Sequence, residues 1–216
     1  MTKPMSTIDG KKVVEILTQV TNVIEANKDY LCELDSEVGD GDHGVSMTIG
    51  MRTARKALAA LQQATPESAF RTVSDAFADE VGAASGVMYE VAFAAAADAV
   101  AGRATMDTTA DWADTFEHLI AAIQKIGKAE LGDKTMVDAW LPAAQALRTA
   151  AKLGIDLQAA LQQATEAAWN GVQGTKNLIP KRGRASRLGE RARGFQDAGA
   201  TSAYLMIKVM AEEVQR

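Results

Sequence analysis

Residues Leu34 to Met47 read LDSEVGDGDHGVSM. Asp35, Asp40 and Asp42 fall within eight positions, Gly39, Gly41 and Gly44 are threaded between them, and Glu37 is close by. Like charges a few ångströms apart repel unless a cation lies between them. Packing gives no reason to crowd carboxylates into a segment that must bend sharply, so the stretch reads as a site for a hard cation. Such an ion would be held by few carboxylates, with anionic oxygens as co-ligands, and Mg²⁺ carried on a nucleotide phosphate has that character. His43 is open to three readings: phosphate contact, ligand or solvated turn residue.

Three motif matches fail on context. Gly39, Gly41 and Gly44 satisfy G-x-G-x-x-G, but no strand precedes them and bare aspartates would repel a pyrophosphate. GDKT, Gly132 to Thr135, has the tail of a Walker A loop without its spacing or its strand. The acids at 35, 40 and 42 miss the register of an EF-hand, and no glutamate stands at its twelfth position.

The elements that must position these residues are helical. Val13, Ile16, Leu17, Val20 and Ile24 form one apolar face, and Met47, Met51, Ala54, Leu58 and Leu61 form the next. Thr65, Pro66 and Glu67 start a third helix, with Phe70, Val73, Phe77 and Val81 on one side. A fourth is expected from about Ser85 to Ala101. Trp112, Phe116, Leu119, Ile120 and Ile123 mark a fifth. A sixth begins near Thr135, whose hydroxyl can cap with Asp138, is expected to bend at Pro142, and stops at Gly154. Asp156 caps a seventh, and an eighth runs from about Ala200 to Val214. Eight helices joined by modest loops make an all-α, antiparallel up-and-down bundle or barrel, a single domain over residues 1–216.

Four glycine-bearing loops precede helices two, four, six and eight: GDGDHG, GAASG, GDKT and QDAGAT. Free N–H groups and the positive end of the helix dipole gather at helix N-termini and favour anionic oxygens. In an up-and-down bundle every second helix starts at the same end, so these loops are predicted to converge on one rim as one site. Taken singly, GAASG and GDKT are ordinary caps and turns, with Lys134 and Thr135 as surface and cap. His118 falls on a polar side and reads as surface. The run Pro180 to Gly194, PKRGRASRLGERARG, carries six basic residues against one glutamate; most such runs are solvated faces, and its place just before the last loop strengthens the case for a phosphate-facing role.

Composition bounds the partners. The chain has 216 residues, 47% hydrophobic, and a net charge of −5, with few aromatic rings, which argues against nucleic acid. One cysteine, Cys32, forms no internal disulfide framework and reads as a small apolar residue in a reducing cytoplasm. The start of the sequence lacks an apolar export region and the most apolar window is too short to span a bilayer, so neither export nor membrane insertion is expected.

In this order, LDSEVGDGDHGVSM, GAASGVMYEVAF, GDKTMVDAWLPA and KRGRASRLGERARGFQDAGATSAYLM resemble the ADP/ATP-binding L subunit of dihydroxyacetone kinases over nearly the whole chain. That resemblance implies an eight-helix barrel with ADP or ATP across one rim and two Mg²⁺ ions bridging Asp35, Asp40 and Asp42 to its phosphates. The implied nucleotide contacts are His43, Gly44, Val45, Ser46, Ala84, Ser85, Gly127, Met136, Arg184, Asp197, Ala198 and Gly199. Arg184 or Lys181 would stabilise charge during phosphoryl transfer to a short ketose, held by a separate K subunit. The chain departs from the family's usual GGASGPLYG and DPG at Ala83, Val87, Met88, Glu90 and Ala198. These positions adjoin the implied nucleotide and leave the ketose open. The donor also stays open between freely exchanged ATP and bound ADP rephosphorylated by a phosphotransferase-system protein, as does a homodimer. Two rival readings stand beside this one: a non-catalytic nucleotide-binding regulatory module, and a kinase module serving an acyl carrier protein.

Overall fold

The structure, a computed structural model, describes residues 7–80 and 84–216. Gly82 and Ala83 of the second glycine loop lie outside that range. Among the described residues nine α-helices form and no strand, only an isolated bridge between Asp9 and Thr105. The helices are α1 (Gly10–Ala26), α2 (Lys28–Ser36), α3 (His43–Ala60), α4 (Pro66–Glu80), α5 (Ala84–Ala99), α6 (Thr109–Gly127), α7 (Val137–Lys152), α8 (Leu157–Gly174) and α9 (Ala198–Val214). Two short 3-10 segments, Thr175–Asn177 and Arg184–Ala192, lie between α8 and α9.

The expected eight are present, and α2 is the addition. It buries only Leu31, so it carries no apolar stripe for a period of 3.6 to reveal. Its support is tertiary: a Cβ on Gly44 would run into the Lys28 carbonyl oxygen, so glycine there lets α3 approach α2 backbone to backbone. Asn27 alone separates α1 from α2. One residue cannot reverse a chain, so the alternation of up and down survives the extra helix.

Local signals fix most ends. Asp9 caps α1 through the Lys12 amide at 3.0 Å, Thr108 and Asp111 form a capping box on α6, and Asp156 caps α8 through the Ala159 amide. Ser68 donates its amide to Thr65 Oγ1 at the start of α4. α7 runs unbroken through Pro142.

From α3 to α9 each helix packs on the next, and α1 packs on both α3 and α9, closing the ring. Aromatic rings plug the interior. Phe116 meets Trp112 and Trp140 edge-on, and Phe77, Tyr89 and Phe93 form a second cluster. No helix of the described residues is long and apolar enough to cross a membrane.

Candidate nucleotide and metal site

A cleft of about 350 Å³ opens on one rim. It is lined by residues from the loops before α3, α7 and α9, from the start of α5 and from the basic segment 182–185. Three of the four loops expected to meet from helix parity thus line one cleft, and Ser85 stands for the described part of the fourth.

Asp35 stands in the last turn of α2, and its Oδ2 accepts the amides of Asp42 (3.0 Å) and His43 (3.3 Å). This bond folds the acidic loop back on itself. The turn needs its glycines: Gly41 sits at φ +76°, and a Cβ on Gly39 would collide with Asp35 Oδ1. As a result Asp35, Asp40 and Asp42 each offer a carboxylate oxygen within 4.8 Å of the others. Hard oxygen donors at that spacing, partly open to the cleft, fit Mg²⁺ with remaining positions for water or phosphate oxygens.

The countercharge comes from across the cleft. Arg184 pairs with Asp40 and lies 3.3 Å from Asp42 Oδ2. The His43 amide is committed to Asp35 and that of Ser46 to the Asp42 carbonyl, leaving those of Gly44 and Val45 open at the start of α3. His43 Nε2 is 2.9 Å from Ser202 Oγ, and that hydroxyl donates to the Gly199 carbonyl. With its own proton spent, Ser202 accepts from Nε2–H, which leaves Nδ1 unprotonated. Burial pushes the His43 pKa down to about 4, against the pull of Asp35, so the ring is neutral at pH 7. Asp197, at the start of α9, is pushed up to about 7 by burial, with Asp138 adding to the rise while the Ala200 amide and Lys134 oppose it.

Apolar side chains, among them Val38, Met88, Ile123, Ala129 and Val137, also line the cleft. Gly127 closes α6 there, with the Met88 sulfur 3.2 Å from where its Cβ would stand. A lining that combines apolar side chains with a cation-ready carboxylate cluster suits a flat ring carrying an anionic tail.

Of the residues expected at the site, Asp35, Asp40, Asp42, His43, Ser85, Gly127, Met136, Arg184, Asp197, Ala198 and Gly199 line the cleft together. Gly44 is buried behind it against α2, Val45 is exposed and Ser46 is half-buried. Ala84 is the first residue of α5. Lys181 is placed elsewhere: its ammonium pairs with Asp133 at 3.0 Å and does not line the cleft. Lys134 is a correction. It is 4% exposed rather than on the surface, at φ +61°. The apolar lining was not singled out as a site, because on sequence those residues are indistinguishable from core. His118 is exposed as expected.

The DAK2 domain model matches residues 37–212. The chain belongs to the DAK2 domain family. It is 36% identical, over 93% of both chains, to the ADP-binding subunit DhaL of PEP-dependent dihydroxyacetone kinase 2 from Listeria innocua. It is also 34% identical to the L-erythrulose kinase of Pectobacterium atrosepticum, aligning with 92% of this chain and 34% of that enzyme. The crystal structure of the dihydroxyacetone kinase from C. freundii in complex with AMP-PNP and Mg²⁺ superposes with a TM-score of 0.71 at 25% identity, covering 98% of this chain and 36% of that one. The chain thus spans about a third of the length of those two larger kinases.

Proposed function

We propose that this DAK2 chain is the nucleotide-binding L subunit, one domain over residues 1–216, of a multi-component cytoplasmic kinase. It would transfer a phosphoryl group from Mg²⁺-nucleotide to dihydroxyacetone or a related short ketose held by a separate K subunit. The observation that carries this reading is the three-carboxylate cluster paired with Arg184 in a cleft that apolar side chains also line.

Asp35, Asp40 and Asp42 would hold two Mg²⁺ ions. When bound, these ions supply charge neutralisation on the phosphate oxygens and template the transfer in line. The open amides of Gly44 and Val45, with the start of α9 at Ala198 and Gly199, take phosphate oxygens. Met88, Gly127 and Met136 receive the base. Arg184, released from Asp40, is the group that turns to the phosphates, and Lys181 is held away from them by Asp133. His43 stays neutral and ties α3 to α9, so the two helix starts keep their separation. A ketose such as dihydroxyacetone or erythrulose matches the kinases to which these relatives belong. A phosphotransferase-system protein is the donor that the relationship to DhaL favours, with bound ADP rephosphorylated in place.

The test is to purify the chain, identify any retained nucleotide, and assay dihydroxyacetone and erythrulose with a K subunit, giving either ATP or a phosphoprotein donor. Nucleotide binding by the chain alone and turnover only with the K subunit are expected. Absence of Mg²⁺-ADP binding, or steady turnover of free ketose by the pure chain, would overturn the assignment.

A further inference from the structure

Lys134 is almost fully enclosed, yet among the described residues its ammonium meets no carboxylate within ion-pair distance. Four backbone carbonyls surround it instead: Thr175 at 2.9 Å, Leu178 at 3.4 Å, Ala192 at 2.8 Å and Phe195 at 2.8 Å. Two lie upstream of the basic segment and two downstream. Its backbone is held in the left-handed region at φ +61°, a conformation residues with a Cβ rarely adopt. A buried ammonium is retained only where its protons are satisfied, and backbone carbonyls satisfy them here, that of Thr175 accepting the Leu178 amide as well.

The neighbouring residue grips the same segment. Buried Asp133 accepts from Lys181 Nζ (3.0 Å) and Arg182 Nε (3.3 Å), and its carbonyl takes the Lys181 amide at 3.1 Å. The Gly194 amide bonds the Lys176 carbonyl at 2.8 Å and closes the stem. Between these anchors the chain runs out to Arg182, Gly183, Arg184 and Ala185 on the cleft wall.

We propose that Lys134 is a positioning residue that cross-links both stems of the segment 176–195 and thereby sets where Arg184 stands over the cleft. It touches no reacting atom and acts through Arg184. The inference rests on the nucleotide reading of the cleft only for its affinity consequences; the anchoring itself is a property of the ligand-free chain.

The test uses the full chain with Lys134→Met, which keeps length and removes the donor. In nucleotide-free protein, trypsin cleavage between Lys181 and Arg193 should quicken about tenfold or more, as expected for loss of a charge-assisted anchor, while cleavage elsewhere and helix content stay unchanged. Affinity for Mg²⁺-ADP should fall about ten- to a hundredfold, and affinity for Mn²⁺ alone should not fall. In an Arg184→Ala background Lys134→Met should add less than about threefold, because neighbouring effects on one route do not add. An equal loss with and without Arg184, or cleavage at the wild-type rate, overturns the proposal. Should Lys134→Met fail to fold, Asp133→Asn spares the ammonium and cuts its neighbour's ties to Lys181 and Arg182. It should quicken the same cleavages several-fold, and wild-type cleavage and affinity in that variant would overturn the shared-clamp geometry. If wild type binds no Mg²⁺-ADP, the nucleotide reading fails while the cleavage comparison still decides the role of Lys134.

Discussion

Arg184 lies against Asp40 and Asp42, residues 144 and 142 positions away in sequence, and neutralises the acidic loop from the opposite wall of the cleft. In the proposed function this contact must open, because a cation and a guanidinium compete for the same oxygens. Arg184→Ala should therefore act with opposite signs on two ligands. Removing an exposed ion pair worth about 0.2–1 kcal/mol should raise affinity for Mn²⁺ alone by up to about fivefold. Affinity for Mg²⁺-ADP should drop about tenfold or more, and lysine should restore it poorly, since an ammonium lacks the paired donors that match a phosphate. Calorimetric titration of both ligands checks this; equal affinities in mutant and wild type would remove Arg184 from the site.

Asp40→Asn keeps the shape of the side chain and deletes one ligand charge. Mn²⁺ affinity should fall at least about tenfold, because a carboxamide oxygen is a weak substitute on a hard cation. The relief of repulsion expected among three bare carboxylates is smaller than the sequence implies, since Arg184 already offsets it. The melting temperature of metal-free protein should stay within about 2 °C of wild type, the effect of a surface change of about 0.5 kcal/mol. Unchanged Mn²⁺ binding would count against the cluster as the metal site.

Two half-buried groups of the cleft should oppose each other in acid. Asp197 has its folded pKa raised from 3.8 to about 7 by burial, so between those values the native state holds a proton the unfolded chain has lost, and stability falls as pH rises. His43 has its folded pKa lowered from 6.5 to about 4, again by burial, so the unfolded chain holds the extra proton and stability rises with pH over that window. Asp197→Asn removes the falling contribution. Metal-free protein carrying it should show stability increasing from pH 4 to 6.5 more steeply than wild type, by at most about 1.4 kcal/mol per pH unit, the limit for one proton. Denaturant titrations across that range would show it, and parallel curves would mean that Asp197 titrates normally.

Gly44 is where the start of α3 rests on α2. A methyl group there would meet the Lys28 carbonyl oxygen and stand 2.9 Å from Cys32 Sγ. Gly44→Ala should destabilise by about 1–3 kcal/mol, the usual cost of overpacking, and weaken Mn²⁺ binding, because it pries apart the helices carrying Asp35 and Asp42. Gly50→Ala, whose Cβ would press on the Phe77 ring instead, should lower stability while leaving Mn²⁺ affinity unchanged. Equal metal affinity in both variants would dissociate α2–α3 spacing from the cluster.

Legibility in the sequence followed how local each signal is. The apolar faces of α1, α3, α4 and α6 repeat at helical spacing, and the caps at Thr65 and Asp156 stand beside the turns they satisfy, so helix type and order can be read in one dimension. α2 could not be, since it buries Leu31 alone and depends on a glycine in another helix. Asp35, Asp40 and Asp42 betray themselves because their crowding and their glycines are contiguous.

By itself, then, the sequence determined the all-α fold, the alternation that sends four glycine loops to one end, and the carboxylates that must be relieved by positive charge. Tertiary structure alone decided what supplies that charge and what holds it there. Arg184 reaches Asp40 from the far wall, Lys181 is diverted to Asp133, and Lys134 turns inward to carbonyls between 41 and 61 positions away. A charged side chain carries no local mark of its partner: lysine on a glycine-rich turn reads as surface until the ring closes around it and removes the water that would otherwise satisfy its ammonium.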